Sequence, residues 1–234
     1  MDLGDFMVKI GIPLRYYHLA DDRCILYLAE QVRRTFQLAG AFVVPIVQVQ
    51  DIDYFDTHYP DFLPLTEKEK KDIDSYLDMV DGVVFPGGNK ITPFDTYLLK
   101  RCIERDIPTL GICLGMQLMS CYGEEFKVYP NETEINHNQE KDEGFSHKVH
   151  IEKNSMLYNI LGKEEIEVNS FHRYHVTVEN DYQVIAESED GYIEGICLPS
   201  QKFHLGIQWH PEISYREDED SRKIIHSFLD ACKK

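Results

Sequence analysis

The sequence predicts an α/β fold: a doubly wound, mostly parallel sheet with flanking helices and an antiparallel C-terminal strand extension. Three observations carry this. Up to Ile112, short apolar runs alternate with segments of helical period, the pattern of repeated β-α-β units. Two of those runs end in glycine-bearing turns, at Gly87-Gly88 and around Cys113, where ligands sit in such sheets, beyond the carboxyl ends of the strands. Later in the chain, strand-like segments follow one another through turns at Glu189-Asp190-Gly191 and Pro199-Ser200, which suits an antiparallel meander. With no internal repeat and no linker, residues 1–234 read as one domain.

The elements follow in order. Phe6 to Pro13 reads as the first strand, and Tyr16-Tyr17-His18 as the opening of a loop of aromatic and polar residues. Arg23 to Leu38 carries apolar residues at helical spacing and stops at Gly40. Ala41 to Ile46 is the second strand, joined by a right-handed crossover. Asp51 to Pro64 is a long acidic and aromatic insertion. Thr66 and Glu69 form a capping box for a helix to Met79. Gly82 to Phe85 is the third strand, Asp95 to Arg105 a helix, and Thr109 to Ile112 the fourth strand. Tyr129 to Phe145 is polar and reads as a loop. Its His137, with His147 beyond it, reads as a solvated histidine, because their spacing repeats no metal-binding pattern. His147 to Ile151 alternates as an exposed strand, and Ser155 to Leu161 is a short helix stopped by Gly162. Strands are expected at Ile166 to Asn169, Thr177-Val178, Gln183 to Ala186, Tyr192 to Cys197 and Phe203 to Trp209. A last helix presents Ile224, Ile225, Phe228 and Leu229 on one face.

Bulk composition narrows the function classes. The net charge of -17 argues against nucleic acid and against an anionic membrane surface, and is compatible with a cationic substrate. Six scattered cysteines without paired CxxC spacing fit reduced thiols in a cytoplasm better than a disulfide framework. The N-terminal residues lack the basic region of a signal peptide, and no apolar run reaches membrane-spanning length.

The chemistry centres on Gly111-Ile112-Cys113-Leu114-Gly115-Met116-Gln117. A buried strand runs into Cys113 and a helical pattern leaves it, with glycines two residues away on each side. That spacing suits a sharp turn holding a nucleophile over a helix N-terminus, which favours the thiolate. Alone, Cys113 reads more readily as a buried structural thiol. Two partners change that reading. His210 and Glu212, at the end of Phe203 to Trp209, supply a base and the carboxylate that orients it. Gly88 and Leu114 supply backbone N–H groups for an oxyanion hole.

Pro86-Gly87-Gly88, the segment Gly111 to Gln117, and Gly206 to Glu212 resemble the three signatures of class I glutamine amidotransferase-like (peptidase C26-like) domains, in the same order. The resemblance spans essentially the whole chain and implies that family's flavodoxin-like sheet. Val168 to His172 and Gly191 to Ile196 resemble the γ-glutamyl-γ-aminobutyrate hydrolase branch. By that resemblance Gly87 and Gln117 lie near the substrate, and Asn169, Ser170 and His172 lie near it or support the loop that covers it. The branch usually carries an aspartate soon after the paired glycines and an arginine after the nucleophile, where this chain has Asn89-Lys90 and Leu114. Leu114 is the residue that synthetase-linked amidotransferases tend to have.

The function expected is cysteine-dependent hydrolysis of a small-molecule γ-glutamyl amide through a glutamyl-thioester, needing neither metal nor organic cofactor. The alternative is a glutaminase subunit supplying ammonia to a separate synthetase. A non-catalytic binding protein on the same fold fits an intact Cys113, His210 and Glu212 set poorly. The sequence leaves room for a homodimer and does not name the leaving amine.

Overall fold

The structure, a computed structural model, describes residues 7–21, 23–50, 63–140 and 144–233. Strand β1 (Lys9–Pro13) is followed by a hairpin of β2 (Arg15–His18) and β3 (Cys24–Tyr27), paired antiparallel. This replaces the loop expected at Tyr16 to His18 and the first turns of the helix expected from Arg23. Cys24-Ile25-Leu26-Tyr27 is rich in residues that suit a pleated surface, and cross-strand pairing overrides the helical period. The Tyr17 and Tyr27 rings meet edge to face at 6.0 Å across the hairpin. Helix α1 therefore spans only Glu30–Leu38, and β4 (Phe42–Ile46) returns parallel to β1. The insertion read at Asp51 to Pro64 lies almost wholly outside the described residues.

Helix α2 (Glu67–Leu77) starts at Thr66 with the expected capping box to Glu69. After β5 (Gly82–Phe85), α3 (Pro93–Glu104) carries a second capping box, Thr92 with Asp95. Then come β6 (Thr109–Ile112) and α4 (Leu114–Ser120). The polar stretch beyond contains β7 (Tyr129–Pro130), followed by β8 (His147–Ile151), α5 (Met156–Leu161) and β9 (Glu165–Val168). Ser155 caps α5, and Gly162 ends it in the left-handed conformation, φ 69°. Strand β10 (Tyr174–His175) pairs with β7, and no strand forms at Thr177-Val178. The chain closes with β11 (Gln183–Ser188), β12 (Ile193–Cys197), β13 (His204–Ile207), α6 (Pro211–Ser214) and α7 (Glu219–Cys232).

Among the described residues, nine strands form one sheet in the order β4-β1-β5-β6-β13-β12-β11-β8-β9. Pairing is parallel from β4 to β13 and antiparallel from there to β9. The doubly wound sheet with an antiparallel extension is as the sequence predicts. Alternation along each strand feeds two buried layers. Val84, Leu110 and Ile112 pack with Phe36 of α1 and Ile224, Ile225 and Phe228 of α7. Val83 and Phe85 pack on the opposite face with Leu98 and Leu99 of α3 and Met116 of α4. The consequence for function is simple. β5, β6 and β13 are neighbours and parallel, so the glycine turn, Cys113 and His210 leave the sheet at the same edge.

One core group makes the fold pH-sensitive. His204 on β13 is fully buried, with Nε2 3.0 Å from the Ile107 carbonyl, so Nε2–H donates. Burial pushes its pKa down to about 4. It is neutral in the folded protein while an unfolded chain protonates near 6.5, so the unfolded state binds more protons between those values. Its stabilising contribution is therefore complete above pH 6.5 and lost as pH falls toward about 4, amounting to roughly 3 kcal/mol. Urea unfolding across this window should show that loss, and His204→Gln should flatten the dependence.

Candidate active site

Cys113 is the hinge between β6 and α4, with φ 52° and ψ -104°. A side-chain residue in that region is strained by about 1–3 kcal/mol. The surrounding packing imposes it. A Cβ on Gly115 would stand 2.2 Å from the Phe85 carbonyl oxygen, and one on Gly111 would stand 2.8 Å from both the Gly115 carbonyl carbon and Met119 Sδ. Helix α4 thus lies against β5 and β6 at a distance only glycine allows. The Cys113 amide donates to the Ile207 carbonyl at 2.9 Å, which ties the elbow to β13.

His210 ends the segment after β13, and Pro211 starts α6 directly behind it. Its Nδ1 lies 2.7 Å from Glu212 Oε1, so Nδ1–H donates to the carboxylate and Nε2 is the nitrogen left available. Burial works to lower the imidazole pKa, but the Glu212 carboxylate and the Cys113 sulfur outweigh it and hold His210 well above its usual range. Asn169 fixes the backbone at this point. Its Oδ1 accepts from the His210 amide at 2.9 Å, and its Nδ2 donates to the His210 carbonyl at 2.8 Å and to Ser214 Oγ at 2.7 Å. Thr35 of α1 donates to the Glu212 carbonyl at 2.9 Å. The Phe171 ring meets the His210 ring edge-on at 5.7 Å.

The glycine turn closes the site. A Cβ on Gly87 would lie 3.0 Å from His210 Cε1 and 3.7 Å from Cys113 Cβ. One on Gly88 would lie 3.2 Å from Leu114 Cδ2 and 3.1 Å from Arg15 Cδ. Elements distant in sequence thus bring Gly87, Gly88, Cys113, Leu114, His210 and Glu212 together. Burial pushes the thiols of Cys102 and Cys232 up to about 12.

A family model of peptidase C26 matches residues 93–212, which span both Cys113 and the His210-Glu212 pair. The chain belongs to the peptidase C26 family. A glutamine amidotransferase-like protein of Rickettsia prowazekii is 30% identical over 205 residues, covering 60% of this chain and 73% of that one. The γ-glutamyl-γ-aminobutyrate hydrolase PuuD of Escherichia coli K12 is 26% identical over 204 residues, covering 74% and 80%. Among solved structures, the glutaminase domain of Trypanosoma brucei CTPS with bound acivicin superposes with a TM-score of 0.66 at 18% identity, covering 97% of this chain and 94% of that one. The peptidase C26 chain thus has the class I glutamine amidotransferase-like fold and is a hydrolase acting on carbon–nitrogen bonds. No helix among its described residues is long and apolar enough to cross a membrane.

The remaining sequence-predicted positions sit behind the site. Gln117 is buried and its Nε2 lies 3.2 Å from both the Tyr174 carbonyl and Gln208 Oε1. Ser170 Oγ donates to the His137 carbonyl at 2.9 Å. His172 Nδ1 lies 3.0 Å from the Tyr174 carbonyl. The polar groups of Gln117, Asn169, Ser170 and His172 therefore hold protein to protein. His137 and His147 correct the sequence reading more sharply. They are not solvated loop histidines but 3% and 6% exposed, packed with His172 and Glu194. The loop carrying His137 folds back onto β12, which local spacing cannot reveal.

Sequence reasoning also missed Arg15. Its guanidinium is buried, donating to Asp95 Oδ1 at 2.6 Å and to the Pro86 carbonyl at 2.9 Å. Asp95 Oδ2 in turn accepts from the Thr92 amide at 2.9 Å. Arg15 thereby ties the cap of α3 to the glycine turn. The only signal in the sequence was the Thr92–Asp95 capping pattern itself. Removing one member leaves the other charge buried and unpaired, so Arg15→Ala should destabilise the fold by about 3–5 kcal/mol in urea titrations, and Arg15→Lys should recover part of that.

Proposed function

We propose that this chain hydrolyses the γ-amide bond of a small γ-glutamyl conjugate, releasing glutamate and an amine. The observation that carries this is the Nδ1–Glu212 bond of 2.7 Å, which leaves His210 Nε2 for a strained Cys113 on the neighbouring strand end. The likeness to γ-glutamyl-γ-aminobutyrate hydrolases supports the substrate class.

In this mechanism the Cys113 sulfur attacks the γ-carbonyl carbon, forming a C–S bond. The resulting oxyanion is received by the backbone N–H groups of Gly88 and Leu114. The His210 imidazolium gives its Nε2 proton to the amine as the C–N bond breaks, leaving a glutamyl-thioester. Neutral His210 then takes a proton from water, whose oxygen attacks the thioester. The C–S bond breaks, glutamate leaves, and thiolate and imidazolium are restored. Glu212 keeps Nδ1 protonated throughout. Gly87, Gln117, Asn169, Ser170 and His172 serve this cycle by shaping and supporting the loops around the substrate. Neither nucleic acid nor membrane enters this reading, and a homodimer accords with it.

A second reading has one residue in its favour. Leu114, rather than arginine, follows the nucleophile, as in amidotransferases that pass ammonia to a separate synthetase. The two readings differ in the leaving group the isolated chain accepts.

Purified chain assayed for glutamate release on a panel of γ-glutamyl amides, free glutamine included, should turn over one conjugate far faster than glutamine. Glutamine hydrolysis alone, slow and stimulated by an added synthetase, would establish the second reading. Cys113→Ala should lower kcat at least about 10,000-fold with an unchanged circular dichroism spectrum, and full activity would remove Cys113 as nucleophile.

The pH profile gives a separate check. The alkaline limb reports loss of the His210 proton needed by the leaving amine. The Glu212 carboxylate favours that proton, so Glu212→Gln should move the alkaline limb of kcat/KM to lower pH.

A further inference from the structure

Behind the active site, four side chains from separate segments converge: His137 before β8, His147 at its start, His172 after Phe171, and Glu194 on β12. All are more than nine-tenths buried, and Glu194 is fully so. Their facing atoms lie within 4.8 Å of one another. His137 Nδ1 is 3.2 Å from His172 Nε2, and Glu194 Oε1 is 3.4, 3.3 and 3.7 Å from His137 Nδ1, His172 Nε2 and His147 Nε2.

The outward nitrogens decide what faces inward. His137 Nε2 lies 3.0 Å from Asp190 Oδ2, His172 Nδ1 3.0 Å from the Tyr174 carbonyl, and His147 Nδ1 3.2 Å from the Lys148 carbonyl. Each of those partners only accepts, and for His172 Nδ1 the carbonyl at 3.0 Å is nearer than the Asn131 amide nitrogen at 3.5 Å, so each outward nitrogen carries the proton. In that tautomer the inward nitrogens of three imidazoles present lone pairs to a buried carboxylate. His147 Nε2 and both Glu194 oxygens have no hydrogen-bond partner among the described residues. Four converging acceptors without a donor are a poor arrangement for a protein interior. A single added proton can bridge only two of them. One central cation satisfies all four.

We propose that His137, His147, His172 and Glu194 form a structural zinc site. Bonds of 2.0–2.1 Å to a tetrahedral zinc imply ligand-to-ligand edges of about 3.3 Å, close to three of the four distances above. Three imidazoles and one carboxylate suit zinc and do not suit calcium or magnesium, which take oxygen ligands in larger number. The outward partners are the outer shell such a site requires, with Asp190 orienting His137 and itself held by Ser188 Oγ. Zinc with the Glu194 and Asp190 carboxylates is electrically neutral as a unit. Four protein ligands leave no position for water or substrate, so the metal braces the fold and takes no part in the amide chemistry. It clamps the loop of His137, whose carbonyl accepts from Ser170 Oγ and from the His172 amide at 2.7 Å, to β8 and β12. The segment Asn169 to His172, which fixes His210, is thereby anchored at its far end.

The test uses the full chain and reads metal, not activity. After incubation with excess zinc and exhaustive dialysis, elemental analysis should find about one zinc per chain in the native protein and in Cys113→Ala. Glu194→Gln and His147→Gln should retain less than about a tenth of that. Chelation should lower Tm by several degrees and zinc should restore it. Cobalt substituted for zinc should give the visible bands of a four-coordinate nitrogen–oxygen site without a sulfur-to-cobalt charge-transfer band. Should the variants not fold, zinc retention by the native chain with that cobalt spectrum still decides the matter. No retention by the native chain, equal retention by folded Glu194→Gln, or a sulfur charge-transfer band would overturn the site.

Discussion

Everything at the active edge depends on how closely α4 lies against β5 and β6. That approach exists because Gly115 meets the Phe85 carbonyl and Gly111 meets the helix backbone, with no room for a methyl group at either position. With the helix so close, the chain must reverse within one residue, and Cys113 takes the strained conformation as a result. The strain is held by packing on both sides of the sheet and by the hydrogen bond from the Cys113 amide to β13. Cys113 is therefore positioned by the core and not by a loop.

His210 is positioned differently. It stands where β13 has ended and α6 has not yet begun, and regular structure alone would leave it loose. Asn169 supplies the missing constraint with three hydrogen bonds around His210 and Ser214. Asn169 itself follows β9, at the far antiparallel edge of the sheet, so the two halves of the fold meet at His210. The parallel half carries Cys113 and the glycine turn. The antiparallel half carries the brace, with the buried histidine cluster at its root. Arg15 does for the glycine turn what Asn169 does for His210, through one charged side chain anchored on the cap of α3.

Much of this could be read directly from the residues. The alternation of apolar runs and helical segments, the capping box at Thr66, the stop at Gly162 and the amphipathic last helix depend on neighbours within one or two turns, and they form where expected. The segment Cys24 to Tyr27 did not, because its strand state is stabilised across a hairpin by Arg15 to His18, and helical period carries no record of that partner. Thr177-Val178 failed for the same reason. The pairing goes to Tyr174-His175, which has β7 within reach.

The sequence by itself determined the order along the chain of the strands that build the large sheet, the glycines at the elbow, and the types of residue required for thiol chemistry. Those follow from local sterics and from which side chains can donate, accept or attack. Only the tertiary structure decided that Gly88, Cys113 and His210 share one edge, since that requires β5, β6 and β13 to be parallel neighbours. Only the tertiary structure could also turn His137, His147, His172 and Glu194 from polar residues in separate segments into one buried cluster. Convergence of distant segments is set by how the whole sheet twists and packs, and spacing along the chain holds no measure of it.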